Sequence, residues 1–240
     1  MRLRHVLPLP VLIAFSFPVN AARDLNQVDQ LNQAEFRDLS EDLGATVSYK
    51  AVLPVAALGV AGFDLGAEVS ATRIEHPSAW DHASSGTAPR TVYVPKVHVH
   101  KGLPAGIDVG AFYAAVPDQD FDIWGAEIRY ALIDGGVAVP AVGLRATYSQ
   151  LKGVDHLALN TKGLELGVSK GFTVVTPYAG IGRIWTDADP NGTAGLHGES
   201  IANTKLYAGA SFNLLLGTLA LEADRTGDNL SYSVKVGFHF

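Results

Sequence analysis

His98 and His100 stand two residues apart beside Lys96 in the run Lys96-Val-His-Val-His100. In an extended chain alternate side chains share a face. Both imidazoles therefore point one way and could hold a metal ion, with Asp108 as a third ligand from the adjoining strand. The same pair serves equally well as donors and acceptors of a polar hydrogen-bond network. The ligand set is incomplete, so no metal or cofactor is expected. A second group is acidic: Asp187-Ala-Asp189, with Asp81-His82 and Asp155-His156 near other loops. Acidic pairs facing an Asp–His pair can activate a water for hydrolysis, provided the groups come within hydrogen-bond reach. Asp-rich sequence is also the default of exposed turns. Ser149 and His156 invite a deacylase reading, but the sequence assembles no triad. Gly180-Ile-Gly182 and Gly192-Thr-Ala-Gly195 lack the lysine and the strand–loop–helix context of a phosphate loop. They read as bends and close-packing positions. No catalytic residue is assigned.

Strands must position these residues, because the chain alternates apolar and polar residues almost throughout. In Leu230-Ser-Tyr-Ser-Val-Lys-Val-Gly-Phe-His-Phe240, the residues Tyr232, Val234, Val236, Phe238 and Phe240 share one face. Ser231, Ser233, Lys235, Gly237 and His239 share the other, which is a strand with one apolar and one polar side. Similar strands are expected over 63–75, 90–101, 106–116, 121–133, 139–151, 157–170, 178–186, 204–214 and 218–225. Only 178–186 resists assignment of its faces. The predicted fold is all-β: a transmembrane antiparallel up-and-down β-barrel of about ten strands, with eight or twelve as alternatives. Twelve would require residues 45–52 to join with a partner.

The alternation gathers charges of both signs on one face: Asp64, Glu68, Lys96, His98, His100, Asp108, Glu127, Arg129, Arg145, Glu165, Lys205, Glu222, Asp224 and Lys235. In a membrane barrel these face the lumen; in a soluble barrel they face water. Alternation alone does not separate inside-out from outside-in. Four features favour the membrane: an export signal, the terminal Phe, loops sorted by length, and aromatics near strand ends. Those aromatics are Phe63, Trp80, Tyr113, Phe121, Tyr148, Trp185 and Phe238, which fit interface girdles. Counting back from Phe240 puts the short turns at one end, the periplasmic one, and the longer connections at the other.

Met1-Arg-Leu-Arg4, the apolar run 6–19 and Val19-Asn20-Ala21 form a secretory signal peptide, so residues 1–21 are expected to be removed. The apolar run is too short and proline-rich to span a bilayer. The chain has no Cys, a formal charge of -6 and 48% hydrophobic residues, with a mean hydropathy of +0.16. No basic footprint for nucleic acid exists. Leu25, Val28, Leu31, Phe36, Leu39 and Leu43 recur at helical spacing, predicting a short amphipathic helix best over 33–42. A short extended piece follows over 45–52. Residues 22–52 thus form an N-terminal segment that could plug the lumen, and residues 53–240 form the barrel.

The stretch Phe36-Arg-Asp-Leu-Ser-Glu-Asp-Leu-Gly-Ala45, with Val47-Ser-Tyr-Lys50 and Gly62-Phe-Asp-Leu-Gly-Ala-Glu-Val-Ser-Ala-Thr72, resembles a family of functionally uncharacterised Gram-negative outer-membrane β-barrels. The resemblance spans most of the mature chain. It implies the fold and an outer-membrane location and brings no catalytic residues. A more distant likeness is to fatty-acid-transporter barrels, whose N-terminal segment plugs the lumen; this chain is much shorter. The expected partners are outer-membrane lipid, the barrel-assembly machinery through the C-terminal strand, and a small solute. Two functions follow. One is a narrow channel or binding barrel for a small apolar or amphipathic solute, with a purely structural surface barrel as its weaker form. The other is a hydrolase, protease or lipid deacylase, with its site at the extracellular rim.

Overall fold

A computed structural model describes residues 25–84, 89–115, 121–214 and 217–239. The signal-peptide segment and Phe240 lie outside the described residues. Ten strands form one closed antiparallel barrel in which each pairs with its sequence neighbours and β1 closes on β10. They are β1 (Phe63–Arg73), β2 (Thr91–Gly102), β3 (Ile107–Ala115), β4 (Asp122–Ile133), β5 (Ala141–Lys152), β6 (Ala158–Ser169), β7 (Val175–Asp189), β8 (Glu199–Leu214), β9 (Gly217–Thr226) and β10 (Asn229–His239). Two helices accompany them, α1 (Gln33–Val47) and α2 (Pro77–Ala83).

The polarity of the wall is inverted relative to a soluble barrel. Outward residues are apolar and exposed: Val97 is 58% accessible, Leu164 52%, Leu206 51% and Val236 55%. The inward charges on the same strands are buried. An apolar surface encircling the whole wall far exceeds the patches soluble monomers expose. Apolar outside and polar inside is the pattern of a membrane-spanning barrel. Among the described residues no helix is long and apolar enough to cross a membrane.

Three expectations need correction. The helix does not stop at residue 42; it runs to Val47, where burial against the barrel overrides the weak helix propensity of Gly44, Thr46 and Val47. Residues 45–52 consequently join no sheet. Trp80 is not at a membrane interface. It lies on α2, 1% exposed, and its indole Nε1–H donates to Asp42 at 3.0 Å. Phe121 likewise packs against the interior apolar cluster. Sorting of the connections by length is partial: 74–90 and 190–198 are long, but β9 and β10 are joined by Gly227 and Asp228 alone, at the same end.

That end carries both helices and is called the helix end below; the other is the turn end. Inside the helix end the wall is apolar, with Val92, Val94, Ala114, Ile123, Leu151 and Leu159 packed around Phe36, Leu39, Leu43 and Trp80. Here α1 supplies the contents of the barrel. Asn32 starts it with a reciprocal capping box: its side chain accepts from Glu35 N–H, and Glu35 accepts from Asn32 N–H.

Candidate functional site

The site is the lumen, and the chain's own N-terminal segment runs through it. Beyond α1 the backbone is irregular, with bends and Val52 at φ +47, so its N–H and C=O groups need partners other than a helix or sheet. Wall side chains provide them. Lys205 Nζ donates to the Tyr49 carbonyl at 2.8 Å, and Arg129 Nη1 to that of Pro54 at 2.6 Å. Arg145 Nη2 donates to Leu53 O at 3.5 Å. Near the turn end the Leu58 N–H donates to Asp108 Oδ1 at 3.1 Å, and Gly102 N–H donates to Gly62 O at 3.1 Å. The segment thus descends from the helix end to the turn end and there enters β1.

All fourteen charged or imidazole residues singled out in the sequence are buried. Register brings them together in linked pairs. Asp64 accepts from Lys235 at 2.5 Å and lies 3.1 Å from His100 Nδ1. Glu68 pairs with Lys96 at 3.2 Å and with His98 Nε2 at 2.5 Å. Arg129 reaches Asp108 through both Nε and Nη2, at 3.0 and 2.6 Å. Arg145 bridges Glu127 and Glu165 at 3.0 and 2.9 Å, and Lys205 adds a second bond to Glu165 at 2.8 Å. Asp224 takes its cation from the threaded segment, Lys50 Nζ at 3.2 Å. Glu222 has no ion pair among the described residues. The seven buried wall carboxylates are therefore met by six Lys and Arg cations, and the carboxylate left over is Glu222.

Such pairs are held by geometry. Charges out of water survive only when matched, and here Lys50, Arg129, Arg145 and Lys205 each also donate to a backbone carbonyl of the threaded segment or of the end of α1. Tyr49 Oη lies 3.2 Å from His100 Nε2, joining the segment to the histidine pair. His98 and His100 are thus engaged with Glu68, Asp64 and Tyr49. Among the described residues no three His, Asp or Glu side chains converge as a metal cage.

A second anchor lies at the helix end. Asp42, fully buried on α1, accepts from Glu75 N–H (3.3 Å), His76 N–H (3.0 Å), Trp80 Nε1–H (3.0 Å) and Asn229 Nδ2–H (2.6 Å), and meets His76 Nδ1 at 3.1 Å. One carboxylate therefore ties α1 to the β1–β2 connection and to β10. Burial works against a charge on His76, but Asp42, Asp38 and Glu41 outweigh it and raise its pKa. The Asn32 N–H, and then His82 at 2.6 Å, lower that of Glu35. Asp42 carried no motif; only the folded helix pair reveals it.

The rim residues considered for hydrolysis are engaged separately. His82 pairs with Glu35, Asp187 with Lys162 and Ser200, and Asp189 with the Asn191 N–H. Among the described residues no hydrogen bond or ion pair links Asp187, Asp189, His82 and His156 to one another. Ser149 is buried in the lumen, whereas His156 is exposed, in a turn with φ +59.

No protein-family model and no curated protein sequence matches the chain. Among solved structures it is similar to the N-terminal β-barrel domain of Pseudomonas aeruginosa OprF, at 14% identity over 74% of this chain and 97% of that one, TM-score 0.37. It is also similar to the β domain of the Bordetella autotransporter BrkA, at 12% identity over 75% and 99%, TM-score 0.41. A third is Ail, the attachment invasion locus protein of Yersinia pestis, at 13% identity over 75% and 97%, TM-score 0.29. At these scores the assignment of the fold rests on the strand pairing itself.

Proposed function

We propose that the chain is a bacterial outer-membrane barrel whose N-terminal segment plugs its lumen, and that it binds or passes a small amphipathic solute when that plug yields. The observation that carries this reading is the manner of filling. From Tyr49 to Leu58 wall charges bond the segment's backbone, with Lys205, Arg145 and Arg129 donating to its carbonyls and Asp108 accepting from the Leu58 N–H, while Tyr49, Ala51 and Leu53 join the interior apolar cluster. Contacts of this kind exchange with water at modest net cost. The reading also assigns residues 1–21 to a cleaved export signal, residues 22–52 to the plug and residues 53–240 to the barrel. The helix end then faces outward, the turn end faces the periplasm, and β10 is the strand that the barrel-assembly machinery engages.

Planar-bilayer recording tests it. The intact chain should conduct little. A chain lacking residues 25–58, refolded to a closed barrel, should show discrete conductance steps and admit small solutes to liposomes. A folded, plug-less barrel with no conductance and no solute flux would remove the transport reading and leave a structural surface barrel.

A further inference from the structure

The outward face of the wall changes chemistry along one line that crosses β6, β7, β8 and β9. On β7 the outward residues run Val175, Pro177, Ala179 and Ile181, and then Arg183 and Trp185. On the neighbouring strands the last apolar residue gives way in the same manner: Leu164 to Lys162 on β6, Leu206 to Thr204 on β8, and Ala223 to Arg225 on β9. Register joins these positions, because Arg183 stands opposite Leu164 and Thr204, and Leu206 opposite Arg225. The line lies on the helix-end side of the apolar belt. Trp185, partly exposed beside it, is an aromatic of the kind that collects at a membrane interface.

The cations on the outward face are unequally engaged. Lys162 pairs with Asp187 at 3.0 Å and Arg225 with Asp228 at 2.8 Å, in both cases between exposed side chains. Exposed pairs of this kind contribute little, so they can be exchanged. On β5 Lys152 lies over the Trp124 ring, 5.7 Å from its centroid. At the turn end Lys101 donates to the Val60 and Gly62 carbonyls, and Lys170 to those of Gly136 and Val137. Among the described residues Arg183 has no carboxylate partner; its guanidinium donates once, from Nη1 to Thr204 Oγ1 at 3.3 Å. A guanidinium offers five donors in a fixed fork, so most of the fork is open. Its flanking neighbours Leu164, Ile181 and Leu206 are half-exposed and apolar. A cation on the lipid side of a barrel is tolerated near the interface and resisted toward the midplane. This one stands at the edge of the apolar belt with no acid of its own.

We propose that this outward face of β6–β9 docks the phosphate-bearing head of a membrane lipid, with Arg183 as its principal cation and the acyl chains lying along Leu164, Ile181 and Leu206. The guanidinium fork matches phosphate oxygens in pairs, and basic residues near a membrane surface attract anionic lipid. Neighbouring strands lie about 4.8 Å apart, so Lys162 and Arg225 can reach the same head by exchanging their exposed acids for phosphate. The occupant is a lipid rather than an acidic protein, because the apolar residues flanking Arg183 belong to the belt that lipid covers. The inference rests on the reading of the wall as membrane-facing, but not on the plug or on any solute.

Tryptophan quenching in vesicles tests it. Of the three tryptophans, Trp80 is enclosed in the barrel. Trp124→Phe therefore leaves Trp185, on the same strand face as Arg183, as the one that lipid touches. The intact chain with that change is refolded into phosphatidylcholine vesicles holding a minor share of phosphatidic acid. Bromine is placed on the acyl chains of either the phosphatidic acid or an equal share of the phosphatidylcholine. Phosphatidic acid should be enriched about fivefold at Trp185, and inorganic phosphate at equal ionic strength should not reduce this. Arg183→Gln alters an outward side chain held by one hydrogen bond. It should fold, as heat-modifiable migration will show, and should abolish the enrichment. Lys170→Gln, at the turn end, should leave it unchanged. Equal quenching by the two brominated lipids, enrichment that survives Arg183→Gln, or its loss with Lys170→Gln or inorganic phosphate overturns the inference. Quenching by neither lipid would remove the membrane-facing wall and the inference with it. Conductance of the plug-less barrel is read separately, so the transport reading and the lipid site can fail independently.

Discussion

Asp42→Ala should free α1 from the mouth of the barrel while leaving the barrel standing. The substitution removes the acceptor of four N–H groups and the partner of His76. The backbone N–H groups of Glu75 and His76 are partly exposed and can turn to water. The Trp80 indole is buried and loses its acceptor, whereas the buried Asn229 amide keeps its bond to the Arg73 carbonyl; a buried donor left unpaired costs ~1–3 kcal/mol. Loss of a buried, hydrogen-bonded charge partner costs ~3–5 kcal/mol in all. At ~1.4 kcal/mol per factor of ten, docking of α1 weakens by at least about a hundredfold. The chain has no cysteine, so Ala51→Cys, at a site 1% exposed, gives a single thiol inside the lumen. Its alkylation by a water-soluble maleimide should be slow in the parent and at least about a hundredfold faster with Asp42→Ala. Heat-modifiable migration should show the barrel intact in both. A change below about threefold, with the barrel intact, would refute the claim that Asp42 holds the segment in place.

Three further outcomes are expected. Lys50→Met strands Asp224 without its cation and should lower stability by ~3–5 kcal/mol in urea unfolding from lipid vesicles; adding Asp224→Leu should restore most of it. Gly209→Val drives a side chain into the Tyr178 ring, so yields of folded barrel should fall, and Tyr178→Ala should partly rescue them. The thiol at position 51 also reports pH. The folded pKa of His76 is raised above its ordinary 6.5, so its contribution to docking is complete below pH 6.5 and is lost as pH rises through the folded value. The pKa of Glu35 is lowered from 4.5, so its cap contributes above that pH and is lost as pH falls through the lowered value. Alkylation should therefore be slowest between these limits, and His76→Gln should flatten the alkaline limb without moving the acid one.

The strands were legible because a half-lipid, half-lumen wall imposes a period of two, and Glu127, Arg129 and Arg145 announce their face against Ile128, Leu144 and Ala146. β7 was not, because its inward Tyr178, Gly180 and Gly182 alternate with Ala179 and Ile181, a contrast of size rather than polarity. Those glycines are set by close approach: Tyr207 lies over Gly180 as Tyr178 lies over Gly209. The inward apolar residues Val92, Ile123 and Leu159 also ran against a polar lumen, and they make sense only with α1 packed on them. That Glu222 faces inward follows from alternation, but that no cation among the described residues stands within ion-pair distance of it follows only from the register of its neighbours.

The pairing of β1 with β10, from Asp64–His239 to Thr72–Ser231, closes the hoop and thereby divides inside from outside. The residues just before β1 lie within that hoop. Once the seam is shut, α1 could reach its position only by being dragged through a lumen packed with paired charges. Laying the segment down first avoids any such passage. The leader then acts as a mandrel: its carbonyls gather Arg129, Arg145 and Lys205 from three separate strands before the sheet has edges to join. On this view the filling of the barrel is a former on which the wall is bent, and the last bonds made are those of the seam.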